Sequence, residues 1–198
     1  MPILNLAKKE LTIKIIYYGP ALGGKTTNLQ FLHSYISPRE RGEFIHMATE
    51  TERTIGFDYL PLDLDAKRNY RLKMTLYTVP GQVQYNRSRQ MILQGVDGIV
   101  FVADSSRDRA EANVESLTNM IENLKGLELD LKELPWVFQF NKRDLDNTHS
   151  VETMQTMLNK NFNVPAFESI ATEGKGVFAV LKTVSKLAIA SIDEKGFG

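Results

Sequence analysis

The stretch Gly19-Pro20-Ala21-Leu22-Gly23-Gly24-Lys25-Thr26-Thr27 decides the fold of this chain. It matches the pattern of a glycine, four further residues and then Gly-Lys-Ser/Thr. Residues 11–18 before it are rich in β-branched and aromatic side chains, which predicts a strand, and residues 28–36 after it predict a helix. A strand, a glycine-rich turn and a helix in this order are the context that a phosphate-binding loop requires.

Each part of this loop has a physical role. The glycines permit turns that a side chain would obstruct, so that several backbone N–H groups can converge on one anion. The helix adds the positive end of its dipole. Lys25 can bridge the terminal phosphates of a nucleotide, and the Thr26 hydroxyl can bind Mg²⁺. An ordinary glycine-rich turn is the competing interpretation, and the combination of pattern and context favours the phosphate-binding loop (P-loop).

The composition limits the classes of function. The chain has 198 residues with 24 basic and 24 acidic side chains, so its zero net charge gives no general attraction to nucleic acid or anionic membranes. It has no Cys, which excludes disulfides, thiolate catalysis, zinc–thiolate sites and prenylation. No segment approaches the roughly 20 apolar residues of a membrane span. We therefore expect neither a nucleic-acid partner nor a lipid anchor.

Strand and helix patterns alternate along the chain and predict one domain over residues 1–198. Strands are expected at residues 12–18, 57–64, 71–78, 98–104, 136–140 and 166–169, and helices at 25–35, 85–93, 108–125, 150–160 and from Val177 onward. This order predicts an α/β three-layer sandwich around a mostly parallel six-stranded sheet. The hairpin of the second and third strands makes one edge strand antiparallel. Residues Ile3 to Leu6 are a candidate for an extra N-terminal strand.

A second motif, Asn141-Lys142-Arg143-Asp144, narrows the nucleotide class. It follows a strand that should be buried, and it fits the Asn-Lys-x-Asp pattern of guanine recognition. The Asp144 carboxylate can accept hydrogen bonds from the ring N–H and the exocyclic amine of guanine, a pair of donors that adenine lacks. Asn141 would brace the P-loop, and the Lys142 stem would cover the base. A polar turn is the alternative, and a weaker third signal is a backbone N–H of Ala171 offered to the guanine oxygen.

Two segments could respond to the terminal phosphate. The polar loop between Ser37 and Thr54 follows the P-loop helix, where a nucleotide-sensing switch is expected. In it, Thr54 is the candidate for a second Mg²⁺-binding hydroxyl, and Arg53 could act as a built-in arginine finger or could simply be solvated. In the other segment, the Gly81 N–H could contact the γ-phosphate, and Gln82 could orient the attacking water.

These motifs together resemble those of the Ras-like small GTPases, and among them the bacterial MglA family of mutual gliding-motility proteins. The resemblance covers nearly the whole chain. Its most specific pieces are Tyr17-Tyr18-Gly19-Pro20, Thr49-Glu50-x-Glu52-Arg53-Thr54, Phe57-Asp58-x-Leu60-Pro61-Leu62, Tyr77-Thr78-Val79-Pro80-Gly81-Gln82, Gly95-Val96-Asp97-Gly98 to Asp104, Asn141-Lys142-Arg143-Asp144 and Ala171-Thr172-Glu173-Gly174-Lys175-Gly176-Val177.

The resemblance implies a GTP-hydrolysing switch that uses Mg²⁺ and is slow without an activator. It implies that Arg53 and Gln82 are the hydrolytic pair. The implied partners are an MglB-like Roadblock-domain activating protein, which resets the switches without donating an arginine, and effectors of cell polarity or motility. The implied location is the cytoplasm, at a pole of a bacterial cell.

The sequence departs from common patterns at two positions. Ala21 stands where the family often has Gly, and its methyl group could crowd Arg53 or Gln82 and slow hydrolysis. Thr78 stands where ordinary Ras-like proteins have an Asp, as it does in MglA-type proteins, so the usual carboxylate near Mg²⁺ is missing. Asp58 is the candidate to replace it.

The sequence thus predicts one site and leaves two alternatives to a GTPase switch. The predicted catalytic residues are Arg53 and Gln82, the predicted metal ligands are Thr26 and Thr54, and the predicted nucleotide-binding residues are Gly19, Ala21, Gly23, Gly24, Lys25, Thr26, Thr27, Gly81, Asn141, Lys142, Asp144 and Ala171. One alternative is a scaffold that holds GTP without hydrolysing it. The other is a P-loop kinase or ATPase, against which the Asn-Lys-Arg-Asp motif argues.

Overall fold

The computed structural model describes residues 3–5, 8–47, 56–65, 71–82 and 85–194. Its strands are β1 (Ile3–Asn5), β2 (Glu10–Tyr18), β3 (Ile45–Met47), β4 (Phe57–Asp65), β5 (Arg71–Thr78), β6 (Gly98–Asp104), β7 (Trp136–Asn141) and β8 (Ala166–Glu168). Its α-helices are α1 (Lys25–Tyr35), α2 (Asn86–Leu93), α3 (Ala110–Gly126), α4 (Val151–Met154) and α5 (Val177–Glu194).

All eight strands form one sheet in the order β3-β4-β5-β2-β6-β7-β8, with β1 added beside β2. Strands β5, β2, β6, β7 and β8 run parallel to one another, whereas β3–β4, β4–β5 and β1–β2 are antiparallel pairs. Every residue of β6 and β7 is buried, as expected for central strands covered on both faces. The carboxyl ends of the parallel strands therefore lie along one edge, where the site forms.

Strand β2 divides the core into two layers because its side chains alternate between the faces of the sheet. Ile13, Ile15 and Tyr17 pack in the cluster that contains the buried residues of α1 and α5. Ile16 and Tyr18 pack in the second cluster, with the buried residues of α2, α3 and α4. The strand that leads into the P-loop is thus fixed on both sides.

The expected α/β sandwich is confirmed, including the antiparallel hairpin and the N-terminal strand. The sheet is larger than the six strands expected, because Ile45–Met47 pairs with the outer side of the β4 strand. That strand is therefore not the edge of the sheet. All three residues of β3 are exposed, so no hydrophobic alternation announces the strand.

The helices largely follow the sequence pattern, with two local differences. Helix α3 is preceded by a short 3₁₀ turn, Arg107–Arg109. The helix expected from Ser150 is capped by the Ser150 hydroxyl, which accepts the Thr153 N–H at 3.2 Å, and continues beyond Met154 as a π-helical segment, Gln155–Asn159. In the described ranges, no helix has the length and apolar character needed to cross a lipid bilayer.

The buried core predicts a specific stability effect. Val100 of β6 is 0% exposed, whereas Val114 of α3 is 43% exposed. Val100→Ala should lower the free energy of unfolding by about 2 kcal/mol, because it removes two buried methyl groups and leaves a cavity. Val114→Ala is the matched control and should change it by less than about 0.5 kcal/mol. Urea denaturation of both variants measures the difference, and equal losses would contradict the packing described here.

Candidate nucleotide-binding site

The P-loop connects the end of β2 to the start of α1, and its backbone has three positions with a positive φ. Gly19 has a φ of 139°, Leu22 a φ of 63° and Gly24 a φ of 103°. A Cβ on Gly24 would lie 2.1 Å from the Asn141 Nδ2, so only glycine allows the loop to approach that side chain. Helix α1 begins directly after Gly24, where the Asn28 N–H donates to the Gly24 carbonyl at 3.0 Å. The free N–H groups of its first turn thus face the loop.

Lys25 is folded over the loop that precedes it. Its ammonium donates to the carbonyl oxygens of Gly19 at 3.0 Å and Pro20 at 2.7 Å, and the residue is only 6% exposed. Burial, together with the Arg89 charge, lowers the pKa of Lys25 to about 7, although the Asp58 carboxylate opposes the shift. Phosphate groups in the loop would favour the charged ammonium and raise that pKa again.

The Asp58 carboxylate lies at the Thr26 hydroxyl. The Thr26 Oγ1 donates to the Asp58 Oδ2 at 2.5 Å, although the two residues are on α1 and β4. The Thr78 hydroxyl donates to the same oxygen at 2.8 Å and accepts the Asp58 N–H, also at 2.8 Å. Asp58 is 2% exposed. A carboxylate from the neighbouring strand, hydrogen-bonded to Thr78, thus lies at the Thr26 hydroxyl.

His46 contacts the other carboxylate oxygen. Its Nδ1 is 2.6 Å from the Asp58 Oδ1, and the two residues are cross-strand partners on β3 and β4. The His46 side chain is 59% exposed. Nothing local to His46 signals the contact, because it depends on a strand pairing that the exposed β3 residues do not predict.

The donors around Thr26 fit Mg²⁺. Hydroxyl and carboxylate oxygens are the ligands that this ion prefers, and it is bound through few protein groups together with substrate phosphates. The described ranges contain no cluster of three or more His, Cys, Asp or Glu residues that could hold a metal ion. Arg53 and the second predicted ligand, Thr54, lie outside the described residues.

Asn141 joins three segments at the carboxyl end of β7. Its Nδ2 donates to the Gly23 carbonyl of the P-loop at 2.9 Å. Its Oδ1 accepts the Ser169 hydroxyl at 3.0 Å and the Ala171 N–H at 3.0 Å. The predicted third contact to guanine is therefore arranged differently from the expectation, because the Ala171 N–H is directed to Asn141.

The rest of the Asn-Lys-Arg-Asp loop divides into anchored and exposed side chains. Lys142 has a φ of 65°, and its ammonium donates to the buried Asp104 Oδ2 at 2.7 Å. The Arg143 guanidinium donates to Glu168 at 2.9 Å and to the His149 carbonyl at 2.7 Å. The Asp144 side chain is exposed, and within the described ranges no hydrogen bond occupies its carboxylate. This acceptor therefore faces solvent on an anchored loop.

Gly81 and Gln82 lie beside the other end of the P-loop. A Cβ on Gly81 would be 2.3 Å from the Ala21 Cα, so a side chain there would force the two segments apart. Ala21 and Gln82 line a cavity of about 410 Å³ that also contains Arg109. The Arg109 guanidinium donates to the Ala21 carbonyl at 2.7 Å, a contact that the sequence did not suggest.

The structure brings most of the predicted residues together. The P-loop residues Gly19 to Gly24 form one turn and Lys25 to Thr27 begin α1, with Gly81 and Gln82 at one end of the turn and the Asn141 side chain at the other. Sequence reasoning missed His46, Arg109 and the buried Arg89, whose partners include residues in other elements of the fold.

Comparison with known proteins identifies relatives over nearly the full length. A Ras family model matches residues 14–190. The chain is 47% identical over 196 residues to the mutual gliding-motility protein MglA of Myxococcus xanthus (strain DK1622), covering 99% of this chain and 100% of that protein. It is 24% identical over 184 residues to the Ras-related protein Rab-7a of Dictyostelium discoideum, covering 92% of this chain and 85% of that protein. It is 21% identical over 195 residues to the Ypt/Rab-type GTPase avaA of Emericella nidulans, covering 97% and 89%.

The identity to MglA is about twice that to the eukaryotic relatives, and the match covers 99% of this chain. The Ras family match begins within β2 and ends within α5. It therefore spans the predicted site residues that lie in the described part of the chain. On these grounds the chain belongs to the Ras family, as an MglA-type Ras-like GTPase.

Proposed function

We propose that this protein is a switch of bacterial cell polarity and motility that cycles between GDP-bound and GTP-bound forms. An MglB-like Roadblock-domain protein activates hydrolysis, and effectors bind the GTP form in the cytoplasm at a cell pole. The name of the 47% identical relative, a mutual gliding-motility protein, supports the motility role. The activating partner and the polar location rest on the resemblance to the MglA family.

One observation carries the choice of a guanine nucleotide. The hydrogen bond from the Asn141 Nδ2 to the Gly23 carbonyl fixes the Asn-Lys-Arg-Asp loop against the P-loop. A single molecule can therefore place phosphates at Gly24 and Lys25 while its base reaches Asp144. A carboxylate that accepts two donors from guanine discriminates strongly against adenine.

Hydrolysis is assigned to the residues around the terminal phosphate. Lys25 and the backbone N–H groups of the P-loop bind the phosphates, the Gly81 N–H contacts the γ-phosphate and Gln82 orients the attacking water. Arg53 supplies positive charge to the transition state. Thr26 and Thr54 would hold Mg²⁺, with Asp58 nearby, and the ion would neutralise charge on the β- and γ-phosphates.

The second candidate function is a scaffold that binds GTP without hydrolysing it. The close approach of Ala21 to Gly81 supports it, because the Ala21 methyl carbon would lie only 2.9 Å from a Cβ at position 81. Single-turnover hydrolysis of GTP, with and without the Roadblock-domain partner, separates the two functions. Turnover that the partner accelerates supports the switch. Stable GTP in both reactions contradicts the switch and supports the scaffold.

The assignment of Asp144 predicts a loss of affinity for both guanine nucleotides. Asp144→Asn should weaken GDP and GTP binding by the same factor, of at least roughly 100-fold, because one charged acceptor becomes a donor group. Asp146→Asn, two residues further along the same exposed loop, is the matched control and should bind normally. Titration with fluorescent GDP and GTP measures both affinities. Normal binding by Asp144→Asn would exclude its role in base recognition.

The assignment of Arg53 and Gln82 predicts slow hydrolysis without loss of binding. Arg53→Ala and Gln82→Leu should bind GTP normally but hydrolyse it at least roughly 100-fold more slowly with the activating partner present, since each removes a transition-state contact. The exposed residues Arg39 and Gln94 provide matched controls, Arg39→Ala and Gln94→Leu, which should retain wild-type turnover. Near-normal stimulated turnover in both test variants would refute these roles.

The contact between Asp58 and Thr26 predicts a role in Mg²⁺ affinity. Asp58→Asn should raise the Mg²⁺ concentration needed to retain bound GDP by about tenfold, because the amide carries no charge. Asp63→Asn, on the same strand with a side chain 38% exposed, is the matched control. The release rate of fluorescent GDP is measured against free Mg²⁺. An unchanged midpoint in Asp58→Asn would rule out the replacement of the missing carboxylate by Asp58.

A further inference from the structure

Arg89 of α2 is a completely buried arginine that contacts the loop containing Gly81. The residue is 0% exposed. Its Nε donates to the Pro80 carbonyl at 2.8 Å, and its Nη2 donates to the Gly81 carbonyl at 2.7 Å. One guanidinium thus binds two consecutive peptide groups between β5 and α2. The planar, forked arrangement of its N–H donors suits such a bidentate contact and would not be reproduced by lysine.

The remaining contacts fix the guanidinium from behind. Its Nη1 donates to the Asn119 Oδ1 of α3 and, at 3.4 Å, to the Tyr18 hydroxyl of β2. The guanidinium carbon also lies 5.2 Å from the centre of the Tyr18 ring, within range of a cation–π interaction. Asn123 completes this network from α3, because its Nδ2 donates to the Tyr18 hydroxyl at 3.1 Å and to the Asn119 Oδ1 at 3.0 Å.

A buried charge of this kind is costly unless its hydrogen bonds compensate for the loss of water. Within the described ranges, Arg89 forms no ion pair with a carboxylate. Its compensation comes from neutral oxygens, and two of these are the backbone carbonyls of the loop. The position of the loop and the burial of the charge therefore depend on each other.

Peptide geometry converts these contacts into an orientation. A trans peptide is planar, and its C=O and N–H point in opposite directions. Because the Pro80 carbonyl points to Arg89 in the interior, the Gly81 N–H of the same peptide points away from the interior. Gly81 meanwhile lies against Ala21 of the P-loop.

We infer that Arg89 is a positioning residue for GTP recognition, which orients the Gly81 N–H group toward the terminal phosphate of the bound nucleotide. This inference rests on the proposed function. It assigns Arg89 no contact with the nucleotide. Its effect is specific to the γ-phosphate, because GDP lacks the group that this N–H donor would meet.

The ratio of GTP affinity to GDP affinity tests the inference in the full chain. In Arg89→Lys, this ratio should fall by about tenfold, since an oriented hydrogen bond to a charged phosphate is lost. GDP affinity should stay within about twofold of wild type, because its phosphates meet only the P-loop. Titration with fluorescent GDP and a non-hydrolysable GTP analogue measures both values. Thermal unfolding is recorded in parallel.

Asn123→Ala is the matched control, because it removes hydrogen bonds from the same buried network without touching the loop. It should lower the melting temperature and leave the affinity ratio unchanged. Should Arg89→Lys not fold, Asn119→Ala replaces it, because this variant keeps the guanidinium but removes one of its acceptors. Its affinity ratio should fall by about threefold, a fraction of one hydrogen bond.

The outcomes separate this inference from the proposed function. An unchanged ratio in the Arg89→Lys variant, or in Asn119→Ala where that variant replaces it, overturns the positioning role. An equal fall in Asn123→Ala also overturns it, since general loosening of the core would then explain the effect. Failure of the wild-type protein to bind guanine nucleotides would instead contradict the proposed function itself.

Discussion

The site depends on the single side-chain amide of Asn141. Its N–H₂ group binds the P-loop carbonyl of Gly23, and its oxygen accepts hydrogen bonds from Ser169 and Ala171. A side-chain amide donates from its nitrogen and accepts at its oxygen, so both sets of hydrogen bonds can form only in one orientation of the group. Three loops that are far apart in the sequence are therefore held in one arrangement. Because Asn141 is 2% exposed, little water competes for these bonds.

A second constraint concerns charge near the phosphates. Thr78 lacks the carboxylate that ordinary Ras-like proteins carry, and the structure places Asp58 from the adjacent strand at the Thr26 hydroxyl instead. The Thr78 hydroxyl donates a hydrogen bond to the Asp58 carboxylate and accepts one from the Asp58 N–H. Position 78, which carries a carboxylate in ordinary Ras-like proteins, therefore supports the carboxylate of another residue here. A carboxylate on β4 therefore lies at the Thr26 hydroxyl, although β5 supplies none at position 78.

Much of the fold could be predicted because its signals are local. The glycine pattern at residues 19–27 fixes a strand, a turn and a helix, and the continuous apolar run of β6 indicates a central strand. Strand β3 could not be predicted, since Ile45–Met47 is exposed and is defined only by its pairing with β4. The π-helical segment at Gln155–Asn159 likewise follows from packing and from contacts to the following loop, not from helical periodicity.

The candidate site likewise contains residues that the sequence predicts and residues that it does not. The sequence predicts those in recognisable motifs, but it does not predict the residues that support them. Arg89 lies in a polar helix where an arginine normally indicates the solvent face, yet it is completely buried. Its burial follows from Tyr18 and Asn119, which are 71 and 30 residues away. Asp58 was a candidate from the sequence, but its contact with Thr26 depends on how β4 passes the start of α1.

The contact between Ala21 and Gly81 also constrains how this protein can change over evolution. The two residues share one small volume, because any side chain at position 81 would overlap Ala21. Substitutions at these positions are therefore not independent, and a larger residue at one is tolerated only with a compensating change in the backbone of the other. Variant libraries that alter the two positions jointly would explore sequences that stepwise, single-site mutagenesis would eliminate.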